Sequence, residues 1–339
     1  MKNSQFTLII LALFALNSMS CADRKPSSAV FDSVDSGQIV GGELLKYSDS
    51  AASSVVFIST ENDEGHNQIC TGTFIAKNLI LTAAHCIARD KDGMSVSFRG
   101  KDFLKTRNIV DIPIAEVYRL NFSELYEERS KKGDTIYKEQ IKILNKITGI
   151  EKTKIVRRDD LGIIVFAGGL PAEAKIALFP QDGKFSVPQS NTQTITAVGY
   201  GRSNGVLYSD NALAPNGEMI LRHKALIIST KELDPSKNTF RVDQFMNKGG
   251  VCYGDSGGPA IITDPVTKQN IVIGVASQVL NERNGLGEAQ QNADYCYDES
   301  LYINMYFYKQ HLRKALNAAI EKKNNEKLAL KNENKLPAL

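Results

Sequence analysis

From Ile39 onward the chain is a succession of short apolar runs separated by turn residues. Ser54–Ser59, Thr71–Ala76, Leu79–Thr82, Ile163–Ala167, Thr194–Gly199, Ala225–Ser229, Pro259–Thr263 and Ile271–Ser277 are four to seven residues long, and many of their residues are β-branched. Runs this short suit strands better than helices. They do not alternate with helical patterns, so they predict an all-β antiparallel barrel or sandwich rather than a parallel α/β sheet. No internal repeat of 20–50 residues is present.

Two stretches depart from this pattern. Residues 119–158 carry eleven basic and six acidic side chains, and Ile141, Leu144 and Thr148 stand there at helical spacing. At the other end, Leu312, Ala315, Leu316, Ala319 and Ile320 form an i, i+3, i+4, i+7, i+8 stripe that predicts an amphipathic helix. After Glu321 the chain turns rich in Lys, Asn and Glu and is expected to be frayed or disordered. Residues 309–339 hold eight basic and three acidic groups. Solvation of exposed faces accounts for them; attraction to an anionic surface is the alternative.

Composition narrows the function classes. With 41 basic and 38 acidic side chains the net charge is only +3, which argues against a strongly basic nucleic-acid binder. Hydrophobic residues at 42% and charged residues at 23% exclude a disordered or fibrous chain. The 339 residues fit two domains or one large one.

Met1 to Cys21 reads as an export signal. Lys2 supplies the positive end, Phe6–Leu16 is an apolar run too short to span a bilayer, and small residues follow. Ser18 and Ser20 suit an ordinary signal peptidase. Leu16-Asn17-Ser18-Met19-Ser20-Cys21 also resembles a bacterial lipoprotein signal, in which Cys21 becomes the lipidated first residue, although Ser18 stands where Leu is usual. Five cysteines leave one over if the rest pair, which favours lipidation of Cys21. Either route delivers the chain outside the cytoplasm, secreted or lipid-anchored, where disulfides persist. Residues 22–38 are polar and read as a linker or pro-segment.

The chemistry concentrates in Gly254-Asp255-Ser256-Gly257-Gly258-Pro259. A serine between an acid and glycines sits on a sharp turn with its hydroxyl exposed. A serine nucleophile needs a base, and the base needs a buried acid to set its tautomer. Four histidines are available, and His85 lies in Leu81-Thr82-Ala83-Ala84-His85-Cys86 directly after an apolar strand. Asp160 opens Asp160-Leu161-Gly162-Ile163-Ile164-Val165. Taken singly these are weak signals: a turn, a core histidine or metal ligand, a solvated cap. In the order His, Asp, Ser they resemble the chymotrypsin-like (trypsin-like) serine protease family.

The resemblance runs from Ile39 to about Ile320. Ile39-Val40-Gly41-Gly42 is similar to the family's mature N-terminus, Cys70-Thr71-Gly72-Thr73-Phe74-Ile75 and Leu81–Cys86 to its histidine segment, and Asp160-Leu161-Gly162-Ile163 to its acid segment. Gly199-Tyr200-Gly201 resembles its Gly-Trp-Gly with Tyr for Trp, and Cys252–Pro259 is similar to its serine segment. The resemblance implies two six-stranded antiparallel β-barrels, about 39–180 and 181–305, meeting near 175–190, with a C-terminal helix over 306–322 and a charged tail at 323–339. It implies Ser256 as nucleophile, His85 as base and Asp160, rather than the adjacent Asp159, as the orienting acid. The N–H groups of Gly254 and Ser256 would form the oxyanion hole, each such donor contributing about 2.7–4 kcal/mol. Disulfides Cys70–Cys86 and Cys252–Cys296 are implied, with Cys21 left alone. A Cys/His zinc site is the weaker reading, because no CxxC pair exists; neither a metal nor a cofactor is expected.

By the same resemblance, cleavage at Gln38–Ile39 would free an Ile39 ammonium to pair with Asp255 and organise the site. Gln38 stands where a basic residue is usual, so trypsin-like cleavage is not expected to activate the chain. The floor of the specificity pocket falls on Gly250, beside Val251, and its wall on Ser277, Gln278 and Val279, with Ser277 also the serine expected behind the triad. Gly250 offers no charge and Val279 narrows the mouth, so small or medium apolar P1 residues are expected. Asp298 and Glu299 could place an acid on the back wall and change this. The expected partners are a polypeptide substrate and an activating protease, with no nucleic acid, membrane contact only through a lipid on Cys21, and a monomeric state. The alternative function is a catalytically silent binding protein on the same fold. Residues 119–158 would form a surface insertion near the extended subsites, or simply a tolerated one.

Overall fold

In a computed structural model of the protein, the described residues are 39–46, 49–61, 65–99, 109–122, 140–144, 151–155, 159–180, 191–202, 220–234, 236–264, 267–280, 296 and 299–333. The signal segment 1–20, Cys21, the linker to Gln38, Thr148 and Asp298 lie outside them. The strands are β1 (Glu43–Leu44), β2 (Val55–Glu61), β3 (Asn67–Ala76), β4 (Leu79–Thr82), β5 (Met94–Arg99), β6 (Ile109–Asp111), β7 (Ile114–Arg119), β8 (Gln140–Leu144), β9 (Glu151–Ile155) and β10 (Gly162–Phe166). They continue with β11 (Thr192–Gly199), β12 (Arg222–Ser229), β13 (Thr239–Asp243), β14 (Pro259–Thr263), β15 (Asn270–Val279) and β16 (Glu299–Asn304). Two helices close the chain, α1 (Met305–Tyr308) and α2 (Leu312–Glu333).

The strands form two antiparallel sheets, ordered β6-β5-β2-β3-β4-β10-β7 and β1-β12-β11-β14-β15-β16-β13. Each holds seven strands, one more than the six expected, and each surplus has a local cause. In the first sheet β6 and β7 are one stretch of chain broken at Ile112-Pro113. Proline cannot donate to a ladder. The break lets the two halves pair at opposite edges, β6 on β5 and β7 on β10, so the same stretch joins both edges of the sheet. In the second sheet the addition is the two-residue β1, which pairs with β12.

Residues 119–158 also differ from expectation. In place of a helix, β8 and β9 pair as an antiparallel hairpin, Gln140 opposite Ile155 through Leu144 opposite Glu151. The alternation Ile141-Lys142-Ile143 already carried the two-residue period of a strand. The helix α2 runs on to Glu333, past the expected end at 322.

Each sheet encloses its own core. Val56, Ile58, Phe74, Ile80, Val96, Phe98, Ile164 and Phe166 fill the first, with Phe74 stacked edge-on to Phe98 at 5.7 Å. Ile195, Leu226, Phe240, Val242, Ile273 and Tyr302 fill the second. A third cluster draws on both sheets: Leu81, Leu161 and Ile163 from the first, Val272, Val275 and Ile303 from the second, sealed by Met305, Tyr308 and Leu312 of the helices. The stripe on α2 is spent here, and Lys323 pairs with Glu116 while lying 5.1 Å from the centre of the Tyr118 ring.

Candidate active site

The register of β4 against β10 sets the first half of the site. Thr82 lies opposite Gly162, so the residues just beyond, Ala84–Cys86 in a 3₁₀ turn and Asp160 before β10, come together. Gly162 makes this approach possible, since a Cβ there would sit 2.5 Å from Ile87 Cγ1. His85 Nδ1 donates to Asp160 Oδ2 at 2.7 Å, and the His85 backbone N–H donates to Asp160 Oδ1 at 2.9 Å. A third donor crosses from the other sheet: Ser277, at an irregularity in β15, gives its hydroxyl to Asp160 Oδ2 at 2.6 Å. Burial alone would raise the Asp160 carboxyl, but the His85 hydrogen bond and charge, the Ser277 hydroxyl and the His85 N–H hold it below its ordinary value. The Asp160 side chain is 2% exposed and that of His85 21%, so the imidazole presents an edge to solvent from a buried anchor.

The serine loop is stitched to both sheets. Thr71 N–H donates to the Ser256 carbonyl at 2.8 Å, Thr71 Oγ1 to the Gly254 carbonyl at 3.0 Å, and Gly257 N–H to the Ala276 carbonyl at 2.7 Å. Gly254 and Gly257 adopt φ of +99° and +82°, a conformation that side chains rarely tolerate. The N–H groups of Gly254 and Ser256 donate to no acceptor among the described residues. Ser256 is half-buried, and no hydrogen bond joins its Oγ to His85 among those residues.

Asp255 is fully buried, with Gly201 N–H donating to Oδ1 at 2.7 Å and Cys252 N–H to Oδ2 at 2.8 Å. Burial raises its carboxyl to about 7 against the pull of those two N–H groups. Ile39 is also fully buried, and its φ of +58° is strained for a β-branched residue. No hydrogen bond joins Ile39 to Asp255 among the described residues. Val40 N–H instead donates to the Gly250 carbonyl at 2.9 Å, tying this segment to the loop before the serine.

Both disulfides form, Cys70–Cys86 behind the histidine and Cys252–Cys296 beside the serine loop. Among the described residues the one cluster with metal-ligand spacing is Cys70, His85 and Cys86, whose two sulfurs are bonded to each other. Val251 is buried, Gln278 and Val279 are partly buried, and Val279 packs on Val40, Cys252 and Cys296. No helix among the described residues is long and apolar enough to cross a membrane.

Sequence reasoning missed three features. Tyr308 of α1 donates to Asp159 Oδ1 at 2.9 Å, and burial raises the Asp159 carboxyl to about 6 despite that bond. Arg119 donates to the Ile87 carbonyl next to the histidine turn. Gln244, fully buried, donates from Nε2 to the carbonyls of Val251 at 3.0 Å and Cys296 at 2.5 Å. Its signal was faint: Phe240, Val242 and Gln244 continue one inward alternation, and the third member is polar.

Two antiparallel β-sheets meet around a buried Asp–His pair, with a glycine-bracketed serine loop stitched to both: this is the architecture of a two-barrel hydrolase. A family model described as Trypsin matches residues 39–293, well over half of the 339 residues. The chain therefore belongs to the trypsin family, a family of serine-type peptidases that act on polypeptides. A comparison with curated proteins gives no match. Two disulfides on such a domain fit an extracytoplasmic protein.

Proposed function

We propose that the protein is a serine endopeptidase working through Ser256, His85 and Asp160. Ser256 Oγ attacks the scissile carbonyl while His85 Nε2 takes its proton. Asp160 keeps Nδ1 protonated and stabilises the imidazolium, and the proton passes to the leaving amine. Water then enters by the same route and releases the acyl group from Ser256. The free N–H groups of Gly254 and Ser256 would receive the oxyanion. The observation that carries this reading is the Asp160 carboxylate, held by His85 and by Ser277 from the opposite sheet.

The protein would be made as a zymogen cut at Gln38–Ile39. Strain of order 1–3 kcal/mol at a backbone such as that of Ile39 would be relieved by the cut, and the new ammonium would meet the buried Asp255 carboxylate. Gly250 and Val279 favour a small or medium P1 side chain without positive charge. Cutting at Gln38 would also shed the domain from a lipid on Cys21. The missing Ser256–His85 hydrogen bond favours a second reading, a silent binding protein, although such bonds are often long before substrate arrives.

A fluorophosphonate that reacts with activated serines decides between them, applied to the full chain before and after limited proteolysis, with N-terminal sequencing of the labelled species. Labelling only after a cut before Ile39 is expected. Labelling of the uncut chain would refute the zymogen step. No labelling in either state would favour the silent homologue.

A further inference from the structure

Buried polar atoms without partners among the described residues gather beside Gly250 and on β16. Gln244 Oε1, Ser300 Oγ and Tyr302 Oη are buried without a hydrogen-bond partner among the described residues. They share a face. Phe240 lies opposite Tyr302 and Val242 opposite Ser300 in the β13–β16 ladder, and Ser300 lies opposite Val279 in the β15–β16 ladder. Directly opposed residues point to the same side of a sheet, and Gln244 continues the inward alternation of Phe240 and Val242. A buried polar group in a folded protein normally has a partner. A cluster of lone ones beside Gly250, where the proposed specificity pocket has its floor, points to what that pocket receives.

Gln244 is the best defined of the three. A Cβ on Gly250 would sit 2.2 Å from Gln244 Oε1 and 2.5 Å from its Cδ, so the carboxamide occupies the place that a side chain at 250 would take. Both Nε2 hydrogens are committed, to Val251 and Cys296. The amide therefore cannot flip without losing both bonds, and the atom beside Gly250 is fixed as a neutral acceptor. The Ser300 hydroxyl on the same face can both donate and accept.

Resting on the serine-peptidase reading, we propose that Gln244 is a specificity-determining residue, and that the pocket takes P1 residues with a primary carboxamide, glutamine above all. The P1 amide N–H donates to Gln244 Oε1, and the Ser300 hydroxyl donates to the P1 amide oxygen. An aliphatic P1 side chain leaves both atoms unpaired. A P1 carboxylate sets oxygen against oxygen. A P1 ammonium or guanidinium is stripped of water opposite a neutral carbonyl. The requirement for uncharged, medium size is kept, and the expectation of an apolar P1 is replaced. The sequence holds a matching substrate: Gln38 stands at P1 of the bond before Ile39. Once some copies are cut, they activate the rest.

The full-length Gln38→Lys chain is cut with trypsin, the trypsin is quenched with a lysyl chloromethyl ketone, and the product is titrated with the fluorophosphonate. Peptides differing only at P1 (Gln, norleucine, Lys, Glu) are then compared by kcat/KM. P1 Gln is expected to exceed its near-isostere norleucine by about tenfold or more. Gln244→Met should bring that ratio to about one, and Gln244→Glu should move the preference toward P1 Lys. A purely structural role would lower all four substrates together and leave the ratios alone, which would overturn the assignment. So would a labelled wild-type enzyme that cuts norleucine or Lys peptides as well as Gln peptides, and that result needs no variant to fold. If the cut chain neither labels nor cleaves any peptide, the peptidase reading itself fails, and this one with it. As a second readout, the full-length Ser256→Ala chain is offered to the active enzyme. Cleavage before Ile39, slowed about tenfold or more by Gln38→Leu, is expected; equal rates would overturn self-processing.

Discussion

Two buried polar clusters, one around Asp160 and one beside Gly250, are built on opposite plans. Around Asp160 both carboxylate oxygens are engaged, by His85 Nδ1 and Ser277 on one and the His85 N–H on the other. Around Gly250, Gln244 Oε1, Ser300 Oγ and Tyr302 Oη are buried and have no hydrogen-bond partner among the described residues. In the first cluster both carboxylate oxygens are paired without a substrate, which fixes the Asp160–His85 geometry in advance. The second would be completed by the P1 side chain proposed above.

The sharpest break in this comparison comes from the reacting atom. Ser256→Ala should cost about 10⁶-fold in hydrolysis and abolish fluorophosphonate labelling, while the thermal transition stays where it was. Asp160→Asn should lower kcat about 10⁴-fold, because the imidazole adopts the wrong tautomer, yet leave the ratio between P1 substrates unchanged. A changed ratio would mean that the two clusters are coupled. Removing the bond that crosses between the sheets is gentler. Ser277→Ala should cost about 1.5–3 kcal/mol of stability in urea unfolding, since it deletes a hydrogen bond to a charged group, and should let the Asp160 carboxyl rise.

The smallest effect concerns pH. An aspartate carboxyl is ordinarily ionised well below neutral pH, but burial raises that of Asp255 from 3.8 to about 7. Between those values the folded, uncut chain binds a proton that the unfolded chain has released. Stability of the uncut chain from this group is therefore full below pH 3.8 and declines as pH rises toward 7. Asp159 acts in the same sense up to about 6. The urea midpoint of uncut wild-type protein should fall between pH 5 and pH 8, and Asp255→Asn should flatten the part above pH 6. After cleavage, the Ile39 ammonium would reverse the slope by favouring the carboxylate.

Legibility followed the range over which each feature is encoded. His85, Asp160 and Ser256 sit in contiguous segments, each a weak signal alone, that in their order resemble the family's. The β-branched runs declared an antiparallel fold, and the apolar stripe declared α2, because both periods are local. The end of α2 was less visible. Lys- and Glu-rich sequence suits an exposed helix as well as a coil, and the contact of Lys323 with Glu116 and Tyr118 is tertiary. The 140–155 hairpin was misread because two apolar positions and Thr148 at helical spacing are too few to outweigh a strand's alternation. The seventh strand of the first sheet needed closure of the sheet to appear, since only then can the two halves of one broken stretch pair at opposite edges.

By itself the sequence determined the family resemblance, the cysteine inventory and the kind of fold. Local spacing and side-chain type suffice for these. Only the tertiary structure decided the hydrogen bond by which Ser277 reaches Asp160, 117 positions away, and the packing of a glutamine from β13's end against Gly250. The physical reason is that hydrogen-bond satisfaction is a property of neighbours in space. A strand register and a barrel closure choose those neighbours, and no window of sequence contains them both.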